Sequence, residues 1–145
     1  MGLNIDEQQA VERFRKAVVE PSMTNLVILD FWAEWCGPCK ALTPVLERVA
    51  AEYADRGVVL AKVNVDEEQF IAAQFQVRSI PTVYAFVNGQ PVDGFLGALP
   101  ESQVVAFIER VTKDTIGAEE KDLLKPADEA LAKGDAAGAA DLYAQ

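Results

Sequence analysis

Asp30-Phe31-Trp32-Ala33-Glu34-Trp35-Cys36-Gly37-Pro38-Cys39-Lys40 decides how the rest of the chain reads. An apolar run, Leu26-Val27-Ile28-Leu29, leads into it and reads as the end of a buried strand. Beyond it, Leu42, Val45, Leu46, Val49, Ala50 and Tyr53 recur at i, i+3, i+4, i+7, i+8 and i+11, the spacing of one helix face. Cys36 therefore stands where a strand hands over to the first turn of a helix. Backbone N–H groups are unpaired at such a point, and the helix dipole favours negative charge. A thiolate, the reactive form of cysteine, is stabilised there. Pro38 suits the first helical turn, where a missing N–H matters little.

Cys36 and Cys39 are the only cysteines, and the chain has no histidine. A structural zinc site takes about four Cys or His ligands, so this pair cannot supply one. A disulfide across so short a loop constrains the unfolded chain very little, which argues against a structural staple. A dithiol that opens and closes remains. The competing reading is two inert core cysteines that happen to lie three apart. The flanking Trp-Cys-Gly-Pro-Cys-Lys and the strand-to-helix setting argue against it.

The 145 residues suffice for one domain and a small appendage, and half of them are hydrophobic. The net charge of −10 and the lack of a basic stretch disfavour a nucleic-acid partner. No apolar run approaches a membrane span. Met1-Gly2-Leu3-Asn4-Ile5-Asp6-Glu7 has neither the basic region nor the apolar core of a secretory signal. The expected compartment is the cytoplasm, where a vicinal cysteine pair is more often catalytic than structural.

Residues 6–20 read as an amphipathic helix with Val11, Phe14, Val18 and Val19 inward, ended by Pro21-Ser22-Met23-Thr24-Asn25. A strand is expected over 26–32, and the helix from Cys36 to Ala54 contains Pro44, which should kink it. Val58–Val65 is the next strand. Asp66 is expected to cap a short helix, with Gln69 as the reciprocal half of a capping box. Thr82–Val87 and Val92–Leu96 read as strands joined at Asn88-Gly89, the strongest short hairpin signal. Pro100 opens a last helix with Val104, Phe107, Ile108 and Val111 on one face. The order predicts an α/β fold: a mixed sheet with helices on both faces.

The segment Asp30–Lys40 resembles the active site of the thioredoxin family. Ala61-Lys62-Val63-Asn64-Val65-Asp66 is similar to that family's third strand, Ile80-Pro81-Thr82 to its cis-proline loop, Asn88-Gly89 to its hairpin and Gly97-Ala98 to its last loop. Together they span residues 20–112 in the family's order, a far stronger signal than a lone cysteine pair. The resemblance implies a thioredoxin fold over residues 1–112. It also implies a strand before the first helix, for which residues 1–5 offer little, so that strand is either very short or missing.

Residues 113–118 read as a linker. Over 119–145, Ala127, Ala130, Lys133-Gly134-Asp135, Ala139 and Tyr143 resemble the opening of a tetratricopeptide repeat, a pattern of about 34 residues. The expectation is a short C-terminal helical extension, the front of a repeat array in a longer protein. The alternative is an Ala-rich helical hairpin packed on the main domain. A thioredoxin domain followed by such repeats resembles the bacterial chaperedoxins, and Ile71-Ala72-Ala73-Gln74-Phe75, Ile80-Pro81-Thr82-Val83-Tyr84 and Asn88-Gly89-Gln90-Pro91-Val92-Asp93-Gly94-Phe95 are similar to that subfamily.

The resemblance implies roles for single residues. Cys36 would be the exposed nucleophile that forms a mixed disulfide, and Cys39, on the same helix face, would resolve it. Gly37 would let substrate approach the backbone, and Pro38 would keep the pair reducing. Asp30 is a carboxylate in an apolar strand. Burial should raise its pKa and fit it to take the Cys39 proton. Lys62 would lie near Asp30 and tune it; an ordinary solvated lysine is an equal reading. Pro81 should be cis and face the cysteines, with Trp35, Ile80, Pro81, Gly97 and Ala98 forming a shallow apolar groove. Trp35 reads equally as a surface aromatic, and Trp32 as core. No metal and no cofactor is expected beyond the redox-active disulfide. The implied function is reduction of protein disulfides. Its partners would be disulfide-containing or unfolded clients, a thioredoxin-reductase-like reductant and a chaperonin reached through the repeats. The alternatives are a non-enzymatic holdase and a redox-dead adaptor.

Overall fold

The computed structural model describes residues 2–113. The linker and repeat expectations for 113–145 therefore lie almost wholly outside the described residues. In chain order the α-helices are α1 (Ile5–Phe14), α2 (Glu20–Ser22), α3 (Gly37–Glu52), α4 (Gln69–Gln74) and α5 (Glu101–Thr112). The strands are β1 (Leu26–Trp32), β2 (Val58–Asn64), β3 (Thr82–Val87) and β4 (Gln90–Leu96).

The four strands lie in the order β2-β1-β3-β4. β1 runs parallel to β2 and antiparallel to β3, and β3 is antiparallel to β4. β1 is covered on both faces, which is why it reads as an unbroken apolar run. Its alternation sorts the core. Leu26 and Ile28 pack with Leu42, Leu46 and Val49 of α3 and with Val104, Phe107 and Ile108 of α5. Val27, Leu29 and Phe31 face the other way, toward Ala10, Val18 and Ile71. Phe75 closes that second layer against the rings of Phe14, Phe31, Tyr84 and Phe86. By the same parity Asp30 belongs to the α3 face.

The hairpin forms as the sequence predicts, with φ of 55° at Asn88 and 81° at Gly89. Its tip is tied to the end of the first helix. Asn88 N–H donates to the Ser22 carbonyl and Gly89 N–H to Ser22 Oγ, each at 2.8 Å. Val104, Phe107, Ile108 and Val111 are buried, as their spacing predicts.

Three expectations are corrected, and the open question of a first strand is answered for the described residues. The first helix does not stop at Pro21. A π-helical turn, Arg15–Val19, joins α1 to α2, and Pro21 sits in the first turn of α2. Proline has no N–H to continue the ladder, so the wider turn precedes it. Val11 is therefore 40% exposed, and Ala10 is the residue that faces the core. Among the described residues no strand precedes α1; Asn4 there caps a helix. Asp66 does not cap α4, whose N-cap is Glu68 with no side-chain bond. Asn64 Oδ1 instead accepts from Asp66 N–H at 2.8 Å and Glu67 N–H at 3.3 Å. This shapes the loop one turn earlier.

Candidate active site

The cysteine pair lies at the C-terminal end of β1, where the chain turns into α3. Cys36 is the N-cap of α3, in extended conformation, with Gly37 and Pro38 opening the helix. Its sulfur accepts the Cys39 N–H at 3.1 Å. That donor is one of the unpaired N–H groups of a helix start, and no acidic side chain occupies the first turn to compete for it. The backbone thus aims positive charge at Cys36 Sγ, where a thiolate would sit.

Cys36 and Cys39 form a disulfide, with Cα atoms 5.3 Å apart. The description of Cys36 as exposed needs correction: it is 3% accessible, against 0% for Cys39. Both pack among Ala33, Trp32, Val65 and Ile80. Cys36 nevertheless is the sulfur nearer the surface, flanked by the exposed Trp35 and Gly37.

The Ile80–Pro81 bond is cis. The Ile80 carbonyl lies 3.8 Å from Cys36 Sγ, a contact, since a disulfide sulfur has no proton to donate. None of the backbone hydrogen bonds linking loops and turns among the described residues uses Ile80. Gly97 N–H donates to the Pro81 carbonyl at 2.9 Å, which joins the last loop to the proline loop. Gly97 has φ of 86°, where glycine is favoured. A Cβ at Gly37 or Gly97 would meet no protein atom within 4 Å, so the space above both is open. Ala98 is exposed.

Trp35 is 69% exposed, and its indole N–H donates to Asp66 Oδ2 at 2.9 Å. Asp66, read from sequence as a helix cap, thus holds the ring beside the cysteines. Asn64 sets the loop that aims it. Trp32 is half-buried against the pair rather than in the main core. Leu96, next to Gly97, is 66% exposed and was missed by periodicity, because it reads simply as the last residue of a strand.

On β1, Asp30 is fully buried, on the face that packs against α3. Desolvation pushes its carboxyl up to about 6, against a hydrogen bond from Thr43 and the charge of Lys62, which both favour ionisation. Thr43 Oγ donates to Asp30 Oδ2 at 3.0 Å. Lys62 is the register partner of Asp30 across β1 and β2, but its ammonium bonds Glu47 Oε2 at 2.6 Å. Its influence on Asp30 is through space. Glu47 and Thr43 were not legible as site residues, since both fit an ordinary amphipathic helix.

A family model described as Thioredoxin matches residues 6–110. The chain belongs to the thioredoxin family. It is 51% identical over 84 residues to the thioredoxin of Haemophilus influenzae, covering 58% of this chain and 78% of that protein. It is 41% identical over 97 residues to thioredoxin 1 of Synechococcus elongatus, covering 67% and 88%. The crystal structure of Malassezia sympodialis thioredoxin superposes with a TM-score of 0.61 at 37% identity, covering 70% of this chain and 84% of that one. The fold is the thioredoxin fold. With the Cys36–Cys39 pair in place, the protein is a thiol–disulfide oxidoreductase whose redox group is that disulfide. No helix among the described residues is long and apolar enough to cross a membrane.

Proposed function

We propose that this protein reduces protein disulfides with Cys36 as the attacking sulfur and Cys39 as the resolving one. The observation that carries the assignment is the Cys39 N–H aimed at Cys36 Sγ at 3.1 Å. The Cys36 thiolate attacks one sulfur of the substrate disulfide and the first substrate thiolate leaves. Cys39 gives its proton to Asp30 and attacks Cys36 Sγ, and the second thiolate leaves. Two electrons pass from the pair to the substrate, and a thioredoxin-reductase-like partner restores the dithiol. Trp35, Gly37, Pro38, Ile80, Pro81, Gly97 and Ala98 form the docking surface, with the backbone of Ile80 pairing an extended substrate segment. Lys62 favours the charged form of Asp30. Such a reductant needs a reducing compartment, and the cytoplasm is the assigned one. In Cys39→Ser, Cys36 should remain on its substrate as a stable mixed disulfide, read by non-reducing electrophoresis and peptide mapping. A folded variant that yields no adduct, or one joined through another residue, overturns the assignment.

The finer reading, a chaperedoxin that holds unfolded clients and passes them to a chaperonin, rests on sequence alone. It is supported by Lys133-Gly134-Asp135, Ala139 and Tyr143 and by the assignment of 1–112 as domain, 113–118 as linker and 119–145 as repeat. A lone incomplete repeat lacks the neighbour that buries its apolar face. Client holding should therefore require additional repeats. Aggregation suppression by this chain equal to that of a version extended by whole repeats would overturn this reading.

A further inference from the structure

The two oxygens of the Asp30 carboxylate are not alike. Oδ2 accepts the Thr43 hydroxyl at 3.0 Å. Oδ1 is buried and has no hydrogen-bond partner among the described residues. Thr43 lies on α3 four residues after Cys39, and positions i and i+4 share a helix face. One face of α3 thus carries both the resolving cysteine and the only hydrogen-bond donor to the carboxylate among the described residues.

We propose that Thr43 is a positioning residue for the resolving step: by donating to Oδ2 it fixes the Asp30 carboxylate so that Oδ1 is the oxygen that receives the Cys39 proton. This rests on the reading of Asp30 as proton acceptor. A proton arriving on Oδ2 would share that oxygen with the hydroxyl donor and weaken its bond, since a protonated acid oxygen is the poorer acceptor. One arriving on Oδ1 leaves that bond in place, because a hydroxyl donates as well to the carbonyl oxygen of the acid. In the step itself the Cys39 S–H bond breaks and its proton goes to Oδ1. The sulfur's electron pair forms the bond to Cys36 Sγ, and the Cys36–substrate bond breaks with its pair leaving on the substrate thiolate.

The same hydrogen bond favours the charged carboxylate and opposes the desolvation that raises it. The other groups facing Asp30 act only through space. Lys62 on β2 favours ionisation and Glu47 on α3 disfavours it, while Val83, opposite on β3, carries no charge. Without Thr43 no hydrogen-bond donor among the described residues offsets burial.

The test is Thr43→Val, which keeps the shape and removes the donor, with Thr43→Ser as the conservative rescue and Asp30→Asn as the control. In the reduced protein, NMR titration of the carboxyl 13C signal should place the Asp30 midpoint about one to two pH units higher in Thr43→Val, the size expected for a hydrogen bond to a charged group. Reaction with an aromatic disulfide, followed by release of the second chromogenic thiolate, should be about two- to ten-fold slower at pH 7, from the fraction still ionised. It should recover near pH 9, which a merely damaged fold would not do, and Thr43→Ser should match the parent. Loss of the acid limb in Asp30→Asn with an unmoved Thr43→Val midpoint overturns the role of Thr43 alone. Persistence of that limb in Asp30→Asn removes Asp30 as acceptor, and the role of Thr43 falls with it.

Discussion

Two helices of this protein begin with a side chain that accepts a backbone N–H, and they use it differently. At α1, Asn4 Oδ1 accepts from Glu7 N–H at 2.7 Å, and Glu7 Oε1 accepts in return from Asn4 N–H at 3.2 Å. Asp6 and Glu7 supply negative charge to the first turn. The donors are satisfied, and the helix start is inert. At α3, Cys36 Sγ takes the place of the asparagine oxygen, and no carboxylate follows. The field of the helix start is left for the sulfur. A carboxylate of another kind stands on β1, at Asp30, where burial holds it largely neutral at mildly acid pH. A carboxylate in water stabilises α1; a carboxylate in the core destabilises the strand under α3.

The largest expected effect follows from that buried group. Burial holds the Asp30 carboxyl at about 6 when folded, against an ordinary value of 3.8. A carboxyl raised on folding penalises the folded state wherever it must ionise, so the penalty is full above about pH 6. It is relieved as pH falls toward 4, because the folded state then binds the proton first. The shift corresponds to an upper bound of about 3 kcal/mol. Asp30→Asn should therefore raise unfolding stability at pH 7.5 by about 1–3 kcal/mol, with the gain fading from about pH 6 and mostly gone by about pH 4. Urea unfolding at the two pH values measures it. An equal gain at both would show that packing, not ionisation, sets the difference. The same variant should slow the resolving step more than the first attack.

The two helix starts were not equally legible. The handover from strand to helix at Cys36 was legible because apolar period and turn chemistry agree there: Leu26–Leu29 are continuous and Pro38 suits a first turn. The hairpin was legible for the same reason, since Asn88 and Gly89 must both adopt positive φ. Asn4 was passed over because the helix was read as beginning at residue 6, and a cap is visible only once the start is placed. Val11 was read inward in place of Ala10 because a uniform 3.6-residue period ignores the π-helical turn that follows. Asp66 matched a capping box by spacing, yet its carboxylate is taken by Trp35, a contact 31 residues away in sequence. Thr43 and Glu47 carry no local signal. Their partners, Asp30 and Lys62, lie on strands that only the fold brings to α3. Cys36 and Asn88 act within a turn whose start the pattern fixes, and were readable; Thr43 and Glu47, which act on β1 and β2, were not.

A smaller effect tests the inert side of the comparison. Asn4→Ala removes the Oδ1 that accepts the Glu7 N–H, keeps the backbone N–H that donates to Glu7 Oε1, and should destabilise the protein by about 1 kcal/mol. The rates of mixed-disulfide formation and release should be those of the parent. A change in either rate would mean that the α1 start is coupled to the site, against the division drawn between the two helices.

The smallest effect gives α3 what α1 already has. Lys40 is exposed in the first turn of α3, and its backbone N–H donates to the Cys36 carbonyl at 3.2 Å. Lys40→Glu would place a carboxylate near the unpaired N–H groups, where it is worth about 0.3–1 kcal/mol to a helix. At α3 that charge would compete with the Cys36 thiolate for the same field and repel it. The thiol pKa should rise by about half a unit, read as the midpoint of alkylation rate against pH in the reduced protein. Lys40→Gln, which removes the positive charge without adding a negative one, should give a smaller rise and separate the two causes. The carboxylate is exposed, so the difference between the two variants should shrink as salt is raised toward 1 M, where screening acts within about 3 Å. The helix should gain slight stability as the thiol loses reactivity, because one set of donors cannot serve both. A Lys40→Glu protein whose Cys36 titrates as in the parent would show that Cys36 Sγ is governed by its own contacts, chiefly the Cys39 N–H, and not by the charge of the turn.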